Sequence, residues 1–279
     1  MNKTLEGQTI LVTGSSRGIG RAIALAAAAR GANIVIAAKT ADPHPKLLGT
    51  IHTVAAEVEA LGVAAMPVQV DVRDEAQAAA LIEAVDRRFG RLDALVNNAG
   101  AISLTPVAAT PVKRFDLMQS VNSRALFVFS QAALPLLTRA RVSHIVSLSP
   151  PLNLDPRWIA PHAPYTLSKY GMTLLALGMA GEFRERGVSV SCLWPRTTIA
   201  TAAIEFAVGG AALLPRCRKP DIVADAVVEI LCTRDGSLNG RCLIDEDFLR
   251  ERGTVDFAHY AADPAGIAPL QTDLYVDPS

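Results

Sequence analysis

Short apolar runs rich in β-branched residues alternate with longer stretches of helical periodicity along most of the chain. The runs predict seven strands, at residues 9–13, 33–38, 66–70, 94–97, 144–148, 189–194 and 241–244. The stretches between them predict helices at residues 21–30, 55–61, 75–89, 112–137 and 165–185. Strands that alternate with helices form a parallel sheet covered on both faces. The pattern therefore predicts a single doubly wound α/β domain over residues 1–252, followed by an extended tail over residues 253–279.

The last predicted helix has almost no polar face. Residues 172–181 read Met-Thr-Leu-Leu-Ala-Leu-Gly-Met-Ala-Gly, so apolar side chains point to nearly every side. A helix of this kind is buried on two sides. We expect it to pack against the sheet and also either against another subunit, in a homodimer or homotetramer, or within a monomer.

Composition narrows the classes of partner. Half of the 279 residues are apolar and 27 basic side chains balance 27 acidic ones, so we expect a small-molecule partner rather than nucleic acid or a membrane. The four cysteines are scattered without a metal-binding or redox motif, which predicts reduced thiols and no metal site. The first residues contain no apolar signal region and no apolar run reaches membrane-spanning length, which indicates a cytoplasmic protein.

A glycine-rich turn directly follows the first predicted strand. Glycine lets the backbone turn tightly and approach a phosphate, and the next helix offers unpaired N–H groups to an anion at its N-terminus. Tight packing of a strand against a helix produces similar turns. Because a strand precedes this turn and a helix follows it, we expect it to bind a pyrophosphate through Gly14, Ser15, Ser16, Arg17, Gly18, Ile19 and Gly20.

Tyr165 and Lys169 are four residues apart, so one helical turn places a phenol beside an ammonium group. A positive charge about 4 Å away stabilises a phenolate by roughly 4 kcal/mol at moderate dielectric, or about three pKa units. Ordinary exposed helix faces show the same spacing. At a ligand site, the pair would make a proton donor that works near neutral pH.

Four motifs in this order resemble those of the short-chain dehydrogenase/reductase superfamily. The resemblance covers roughly residues 5–244 and implies a Rossmann-type fold, a nicotinamide cofactor, and interconversion of a carbonyl and an alcohol on a small, apolar substrate. The motifs are the turn Thr-Gly-x-x-x-Gly-x-Gly at residues 13–20, the run Asn97-Asn98-Ala99-Gly100, Asn122, and Tyr165-x-x-x-Lys169.

The resemblance also implies roles for individual residues. Tyr165 is the expected general acid and base, and Lys169 lowers its pKa and holds the nicotinamide ribose. Asn122 is expected to anchor a water in a proton path, although an asparagine within a helix can instead make a local backbone contact. The other implied cofactor contacts are Asp71, Val72, Asn98, Ala99, Gly100 and Thr201.

Two cations favour NADP as the cofactor. NAD-selective sites have an acidic side chain at the end of the second strand, where it would repel a 2′-phosphate. This chain has Lys39 in that region and Arg17 in the glycine turn, and charge-assisted contacts to phosphate are strong. The alternative is that both cations are solvated surface groups.

The fifth predicted strand departs from the family pattern. It ends in Ser149-Pro150, where the pattern has two serines and the second usually bonds the substrate oxygen. Ser149 is therefore the candidate for this role, while Ser147 is expected to point into the sheet. The departure keeps a second hypothesis open, a protein that senses NADP(H) or binds an apolar ligand with little catalysis. Reduction of acyl-thioester ketones is a third.

Two further segments are expected to border the substrate. Residues 149–164 contain five prolines and would form a stiff wall beside the catalytic pair. Residues 202–214 are mostly apolar, and we expect them either to cover a hydrophobic substrate as a lid or to pack against the domain.

Overall fold

The computed structural model describes residues 4–45, 47–265 and 269–277, and these form one sheet of seven parallel strands. The strands are β1 (Thr9–Thr13), β2 (Asn33–Ala38), β3 (Ala65–Gln69), β4 (Ala94–Asn97), β5 (Ser143–Leu148), β6 (Val188–Trp194) and β7 (Cys242–Ile244). Their order in the sheet is β3-β2-β1-β4-β5-β6-β7. The predicted strands are confirmed, with bounds that differ by at most one residue.

Helices cover both faces of the sheet. They are α1 (Gly18–Ala29), α2 (Ile51–Glu59), α3 (Glu75–Phe89), α4 (Val112–Gln119), α5 (Ala125–Leu137), α6 (Pro156–Ile159), α7 (Ala163–Glu182), α8 (Asp221–Cys232) and α9 (Asp245–Glu251). Side chains of α1, α2 and α8 pack on one face, and those of α3, α5 and α7 on the other. The predicted Rossmann-type, doubly wound fold is therefore confirmed.

Burial on both faces explains why the strands read as continuous apolar runs. In β1, Ile10 and Val12 enter the core beneath α1 and α8, while Leu11 enters the core beneath α3 and α5. Successive side chains of a strand point to opposite faces, so both must be apolar when both faces are covered. The local alternation that marks a half-exposed strand is therefore absent from β1.

The helix predicted at residues 112–137 is interrupted. A single π-helical turn, Ser120–Arg124, separates α4 from α5. Asn122 lies within this turn and its side chain bonds to Ala101 and Ser168, so the extra residue in the turn is held by contacts with two other segments. Turns of this kind are frequent at functional sites. Periodicity alone did not indicate the interruption, because both halves keep their apolar spacing.

Three other predicted helices have different bounds. The helix predicted at residues 21–30 is α1, which begins at Gly18 and ends at Ala29. α2 begins at Ile51 rather than residue 55, because Thr50 and Thr53 form a reciprocal capping box that satisfies the first N–H groups. The helix predicted at residues 165–185 is α7, which begins two residues earlier and ends at Glu182. No helix among the described residues is long and apolar enough to cross a membrane.

The strand order creates a crevice between β1 and β4. The chain runs outward from β1 to β2 and β3, and then returns to add β4 on the other side of β1. Ligands of doubly wound sheets bind at the carboxyl ends of the strands where the order reverses. The fold therefore places the glycine-rich turn, which follows β1, at the expected site.

Residues 269–277, here called the C-terminal segment, return to the same end of the sheet. Thr198 donates a backbone hydrogen bond to Gln271 (2.9 Å), and Asp273 donates one to Arg196 (3.0 Å). The side chain of Tyr275 is 1% exposed and contacts a group of aromatic rings, Trp158, His162, Tyr170 and Trp194. The last part of the predicted tail is thus attached to the domain.

Candidate active site

A cavity of about 970 Å³ lies at the carboxyl ends of the strands. It extends from the glycine-rich turn to the catalytic pair predicted on α7. Fifteen of the predicted site residues line it: Gly14, Ser16, Arg17, Gly18, Ile19, Gly20, Lys39, Asp71, Val72, Asn98, Ala99, Gly100, Tyr165, Lys169 and Thr201. The other three predicted residues, Ser15, Asn122 and Ser149, are not part of its wall.

The glycine-rich turn leaves no room for larger residues. A Cβ atom at Gly20 would lie 2.5 Å from the carbonyl oxygen of Gly14 and 2.5 Å from Nδ2 of Asn98. That Nδ2 atom donates hydrogen bonds to the carbonyls of Thr13 (2.8 Å) and Gly14 (3.2 Å), so Asn98 braces the turn from β4. α1 begins at Gly18 without a side-chain cap, which leaves its first N–H groups for a ligand. The turn therefore fits a pyrophosphate.

Ser15 supports the turn from below instead of facing the cavity. Its hydroxyl donates to the carbonyl of Val12 (2.7 Å) and accepts from the N–H of Ala37 (3.1 Å). The side chain is fully buried between β1 and β2. The prediction of a cofactor contact by the Ser15 side chain is therefore corrected to a bracing role.

Three cations and one carboxylate line the end of the cavity next to the glycine turn, and two of the cations, Lys39 and Arg73, pair with the carboxylate. The Arg17 guanidinium donates to the carbonyls of Leu48 (3.1 Å) and Gly49 (2.9 Å). The ammonium of Lys39 lies 3.3 Å from the carboxylate of Asp71, and Arg73 bonds to the same carboxylate. Hydrogen bonds from Arg73 and Lys39 hold the pKa of Asp71 well below its usual value. This end of the cavity carries an excess of positive charge.

Tyr165 and Lys169 meet at the opposite end. The phenol of Tyr165 lines the cavity and has no hydrogen-bond partner among the described residues. The Lys169 ammonium donates to the carbonyl of Leu148 (2.6 Å) and lies over the Trp194 ring, 5.1 Å from its centre. Both side chains are almost fully buried. The fold thus brings the predicted pair together on the wall of one cavity.

The electrostatics of this pair differ from the prediction. Burial raises the pKa of Tyr165 well above its ordinary value, and Tyr275 and Asp273 raise it further. Burial also lowers the pKa of Lys169, to about 8, although Asp273 opposes that effect. The expected lowering of the Tyr165 pKa by Lys169 is therefore corrected, because the ammonium is directed toward Leu148 and desolvation dominates both groups.

Asn122 joins the π-helical turn to the catalytic helix. Its side-chain oxygen accepts from the N–H of Ala101 (2.8 Å), and its Nδ2 atom donates to the carbonyl of Ala101 (2.9 Å) and to the hydroxyl of Ser168 (2.8 Å). Ser168 in turn donates to the carbonyl of Tyr165 (2.7 Å). Both amide hydrogens are used within the protein, so the side chain connects the π-helical turn to α7. The water path expected at Asn122 stays a prediction.

Ser149 is directed away from the cavity. Its hydroxyl is fully buried and lies 2.9 Å from the hydroxyl of Ser147. Pro150 continues away from the site, and its carbonyl accepts from Thr173 on α7 (2.7 Å). The Ser149 hydroxyl therefore does not line the cavity, although the Lys169 ammonium bonds to the carbonyl of the preceding residue, Leu148, and the predicted substrate contact of this hydroxyl is not supported by the geometry. The residue of β5 that lines the cavity is Leu148.

The C-terminal segment supplies part of the wall that sequence reasoning missed. Gln271, Thr272, Asp273 and Leu274 all line the cavity. Removal from water raises the pKa of Asp273 to about 7, with a smaller contribution from Asp245. The sequence offers the apolar run Leu274-Tyr275-Val276 as a signal, but this run gives no indication of which surface it would cover.

The stretch at residues 202–214 also lines the cavity. The mostly apolar stretch predicted as a lid or a packing segment forms a π-helical turn, Ile204–Val208, and a 3₁₀ helix, Ala211–Arg216. Ile204, Phe206 and Leu213 line the cavity from this stretch. The substrate end of the cavity is therefore bordered by apolar side chains.

The described residues contain no group of three or more His, Cys, Asp or Glu side chains arranged to hold a metal ion. All four cysteines are free, and Cys192 and Cys217 are buried.

The model of the short chain dehydrogenase family matches residues 8–206 of the chain. The chain belongs to this family. The human hydroxysteroid dehydrogenase-like protein 2 is 52% identical to this short-chain dehydrogenase over 273 residues, which are 98% of the chain. The match covers 64% of the human protein, so the chain spans less than two thirds of that relative.

Solved structures of related proteins share this fold. A protein from Xanthomonas campestris, described as a dehydrogenase, is 47% identical, with a TM-score of 0.93 over 98% of this chain and 99% of its own. A metagenomic short-chain oxidoreductase in complex with NADP is 30% identical, with a TM-score of 0.71 over 86% of this chain and 97% of its own. A 7α-hydroxysteroid dehydrogenase complexed with NADH and 7-oxo glycochenodeoxycholic acid is 25% identical, with a TM-score of 0.75 over 87% and 94%.

Proposed function

We propose that this short-chain dehydrogenase is an NADP-dependent oxidoreductase that interconverts a carbonyl and an alcohol on a small, apolar substrate. The observation that carries the proposal is the shared cavity. The Tyr165 phenol and the Lys169 ammonium line the same continuous space as the glycine-rich turn. A dinucleotide with its pyrophosphate at that turn can therefore extend toward a proton donor at the other end.

We assign a separate role in the reaction to each group of residues in the cavity. A bound nicotinamide supplies or accepts the hydride. Tyr165 gives a proton to the carbonyl oxygen in reduction, or takes one from the alcohol in oxidation. Lys169 would hold the nicotinamide ribose, as the family resemblance implies, while its ammonium also donates to the carbonyl of Leu148. Ile204, Phe206 and Leu213 give the substrate end of the cavity an apolar lining.

The charge at the glycine turn supports NADP over NAD. Arg17, Lys39 and Arg73 outnumber the carboxylate of Asp71 in the part of the cavity that follows β2 and β3. A 2′-phosphate there would meet an excess of positive charge, and Lys39 is sufficiently exposed to turn toward it. The solved relatives include complexes with NADP and with NADH, so the preference rests on these side chains.

A homo-oligomer is part of the proposal. Leu167 and Leu174 of α7 are 57% and 58% exposed, and with Phe115 of α4 they line an open apolar groove on the surface. Phe127 of α5 is also half exposed. Exposed apolar side chains that cluster on adjacent helices mark a protein–protein interface, and we propose that a second copy of the chain covers them.

Titration with NADPH and NADH tests the cofactor preference. We expect NADPH to bind more tightly, and Lys39→Ala to reduce the ratio of the two affinities by about tenfold, the size of one lost contact to a charged group. Lys113→Ala is the matched control, because Lys113 is exposed and lies outside the cavity. NADPH binding no tighter than NADH, with a ratio unchanged in Lys39→Ala, contradicts the NADP assignment.

Turnover tests the catalytic assignment. A panel of ketones, aldehydes, fatty-acyl thioesters and sterols is assayed for NADPH oxidation. Tyr165→Phe should reduce turnover by about 10²-fold to 10⁴-fold, the range for a lost general acid, and leave NADPH binding unchanged. Tyr170→Phe is the matched control, because Tyr170 lies on the same helix but donates its hydroxyl to Asn153, outside the cavity. Full turnover in Tyr165→Phe would remove the proposed acid.

The burial of Ser149 favours a second candidate, a protein that senses NADP(H) or binds an apolar ligand with little catalysis. A cavity without the expected serine hydroxyl still binds the dinucleotide through the glycine turn. Tight NADPH binding by the wild type without turnover of any compound in the panel would support this candidate over the oxidoreductase.

A further inference from the structure

The catalytic end of the cavity lacks a hydroxyl at the position from which Ser149 was expected to act. Leu148 and not Ser149 reaches the wall, and Pro150 has no side-chain donor. A carbonyl oxygen that gains negative charge is stabilised by donors placed in advance, and losing one such donor lowers kcat by about 10²-fold to 10³-fold. A site that uses Tyr165 alone would therefore be incomplete.

Asp273 lies on the wall of the same cavity. The Asp273 carboxyl lines the same cavity as Tyr165 and Lys169, and it interacts electrostatically with both. Its Oδ1 atom accepts from the N–H of Leu274 (2.7 Å), and the other carboxyl oxygen has no partner among the described residues. No direct ion pair joins it to Lys169 in the described part of the chain. One oxygen is thus available to a ligand.

The backbone holds Asp273 firmly in place. Its N–H donates to the carbonyl of Arg196 (3.0 Å), and the indole of Trp194 donates to the carbonyl of Leu274 (2.9 Å). On the other side, the buried ring of Tyr275 contacts Trp194 and hydrogen-bonds to Thr166 of α7. These attachments on both sides of one residue fix its direction, as a catalytic donor requires.

We propose that Asp273, as a neutral carboxylic acid, donates a hydrogen bond to the substrate carbonyl oxygen and takes the place of the missing serine hydroxyl. This inference rests on the proposed function. In reduction, hydride adds to the carbonyl carbon and the C=O π-bond becomes the O–H bond formed with the Tyr165 proton. Asp273 keeps its proton throughout, and the tyrosinate regains a proton from solvent.

The surroundings of Asp273 favour the neutral acid. Removal from water raises its pKa to about 7, and Asp245 adds to that effect, whereas Lys169 and the N–H of Leu274 oppose it. Below pH 7 the acid can donate, and above it the carboxylate would repel a developing oxyanion. The titratable groups that interact with it are Tyr165 and Lys169 on α7, Cys217 after the 3₁₀ helix, Asp245 on α9, and Tyr275.

Three variants test the proposal with a ketone or aldehyde that the wild type reduces. We expect Asp273→Ala to lower kcat about 100-fold, in the range for a lost oxyanion donor, with NADPH affinity within twofold of the wild type. Asp273→Asn keeps an N–H donor that does not titrate, so kcat should stay within about tenfold. The wild-type kcat/KM for reduction should fall as pH rises through 7, and Asp273→Asn should lack this decrease. Asp277→Asn is the control, because Asp277 bonds to Arg157 and lies outside the cavity.

A second measurement does not depend on turnover. The Asp273 carboxylate raises the pKa of Tyr165, so Asp273→Asn should shift the ultraviolet signal of tyrosinate to lower pH. The signal is assigned by subtracting the same titration of Tyr165→Phe. An unchanged Tyr165 titration would contradict the electrostatic contact on which the proposal depends.

Each remaining outcome decides the question. Asp273→Ala with kcat within twofold of the wild type overturns the inference and leaves the oxidoreductase assignment intact. A loss of kcat in Asp277→Asn equal to that in Asp273→Ala also overturns it, since seating of the segment would then explain both. If Asp273→Ala does not fold, persistence of the pH-dependent decrease in Asp273→Asn is the contradicting result. A wild type without turnover overturns the proposed function and this inference together.

Discussion

Asp245 at the start of α9 carries a buried carboxyl group whose replacement by asparagine gives a direct test of the electrostatics. One oxygen accepts from the N–H groups of Arg196 (2.8 Å) and Glu246 (2.6 Å), and the other is buried without a partner among the described residues. Burial raises the pKa of Asp245 from 3.8 to about 7, while Arg218 opposes the shift.

The shift sets both the sign and the size of the effect. Because the folded protein keeps a proton that the unfolded chain loses from about pH 4, stability falls as pH rises to 7. At about 1.4 kcal/mol per pKa unit, a shift of roughly three units gives a loss of about 4 kcal/mol. Asp245→Asn cannot titrate but keeps the accepting oxygen. Its free energy of unfolding relative to the wild type should therefore increase by about 4 kcal/mol between pH 4 and pH 8.

Urea unfolding of both proteins across this pH range measures the difference. Asp247→Asn is the control, because Asp247 is half exposed and pairs with Arg196 at the surface. An exposed ion pair contributes about 0–1 kcal/mol, so its difference from the wild type should stay nearly constant with pH. A stability difference for Asp245→Asn that does not change between pH 4 and pH 8 would refute the reasoning, since the carboxyl would then ionise normally in the folded state.

Three further predictions concern the glycine turn, the surface of α7 and the C-terminal segment. Gly20→Ala should abolish NADPH binding, because the added Cβ would lie 2.5 Å from a carbonyl oxygen of the turn. Gly178→Ala is the control, because its Cβ meets no atom within 4 Å, and it should leave NADPH affinity unchanged and the free energy of unfolding unchanged or higher. Equal NADPH affinities of the two variants by calorimetry would contradict this prediction. Leu174→Glu should convert the oligomer to a monomer, as measured by light scattering. Val255→Glu changes an exposed site outside the groove and should leave the mass unchanged. An unchanged mass for Leu174→Glu would exclude the groove on α7 as the interface. Tyr275→Ala should reduce the free energy of unfolding by about 3–5 kcal/mol, as expected for a buried aromatic ring, and a loss below 1 kcal/mol in urea unfolding would show that the ring is not packed.

The sequence predicted the strands of the sheet well because each strand is specified by a pattern within a few neighbouring residues. The central strands are mostly apolar runs that are buried on both faces, and such a run can be identified without knowing its neighbours. The glycine turn and the Tyr165–Lys169 spacing are local in the same sense, since each lies within one turn or one helix. Their position in one cavity then follows from the strand order.

The parts of the site that were not predicted depend on distant contacts. Asp273 lines the same cavity as Tyr165 because Trp194 and Arg196 hold the C-terminal segment, some 80 residues further along the chain. The direction of the Ser149 hydroxyl is likewise decided by Ser147 and the path of the chain after β5. No periodicity within a short window carries such information.

Contacts between distant parts of the chain also order the events of folding. The glycine turn and Lys39 lie within the first 40 residues, whereas the wall formed by Gln271, Thr272, Asp273 and Leu274 comes from the last ten. A growing polypeptide can pair its first strands long before it contains the residues that close the substrate end. The cavity stays open on that side until the C-terminal segment docks, so enclosure of a substrate depends on the residues that are synthesised last among those that line it.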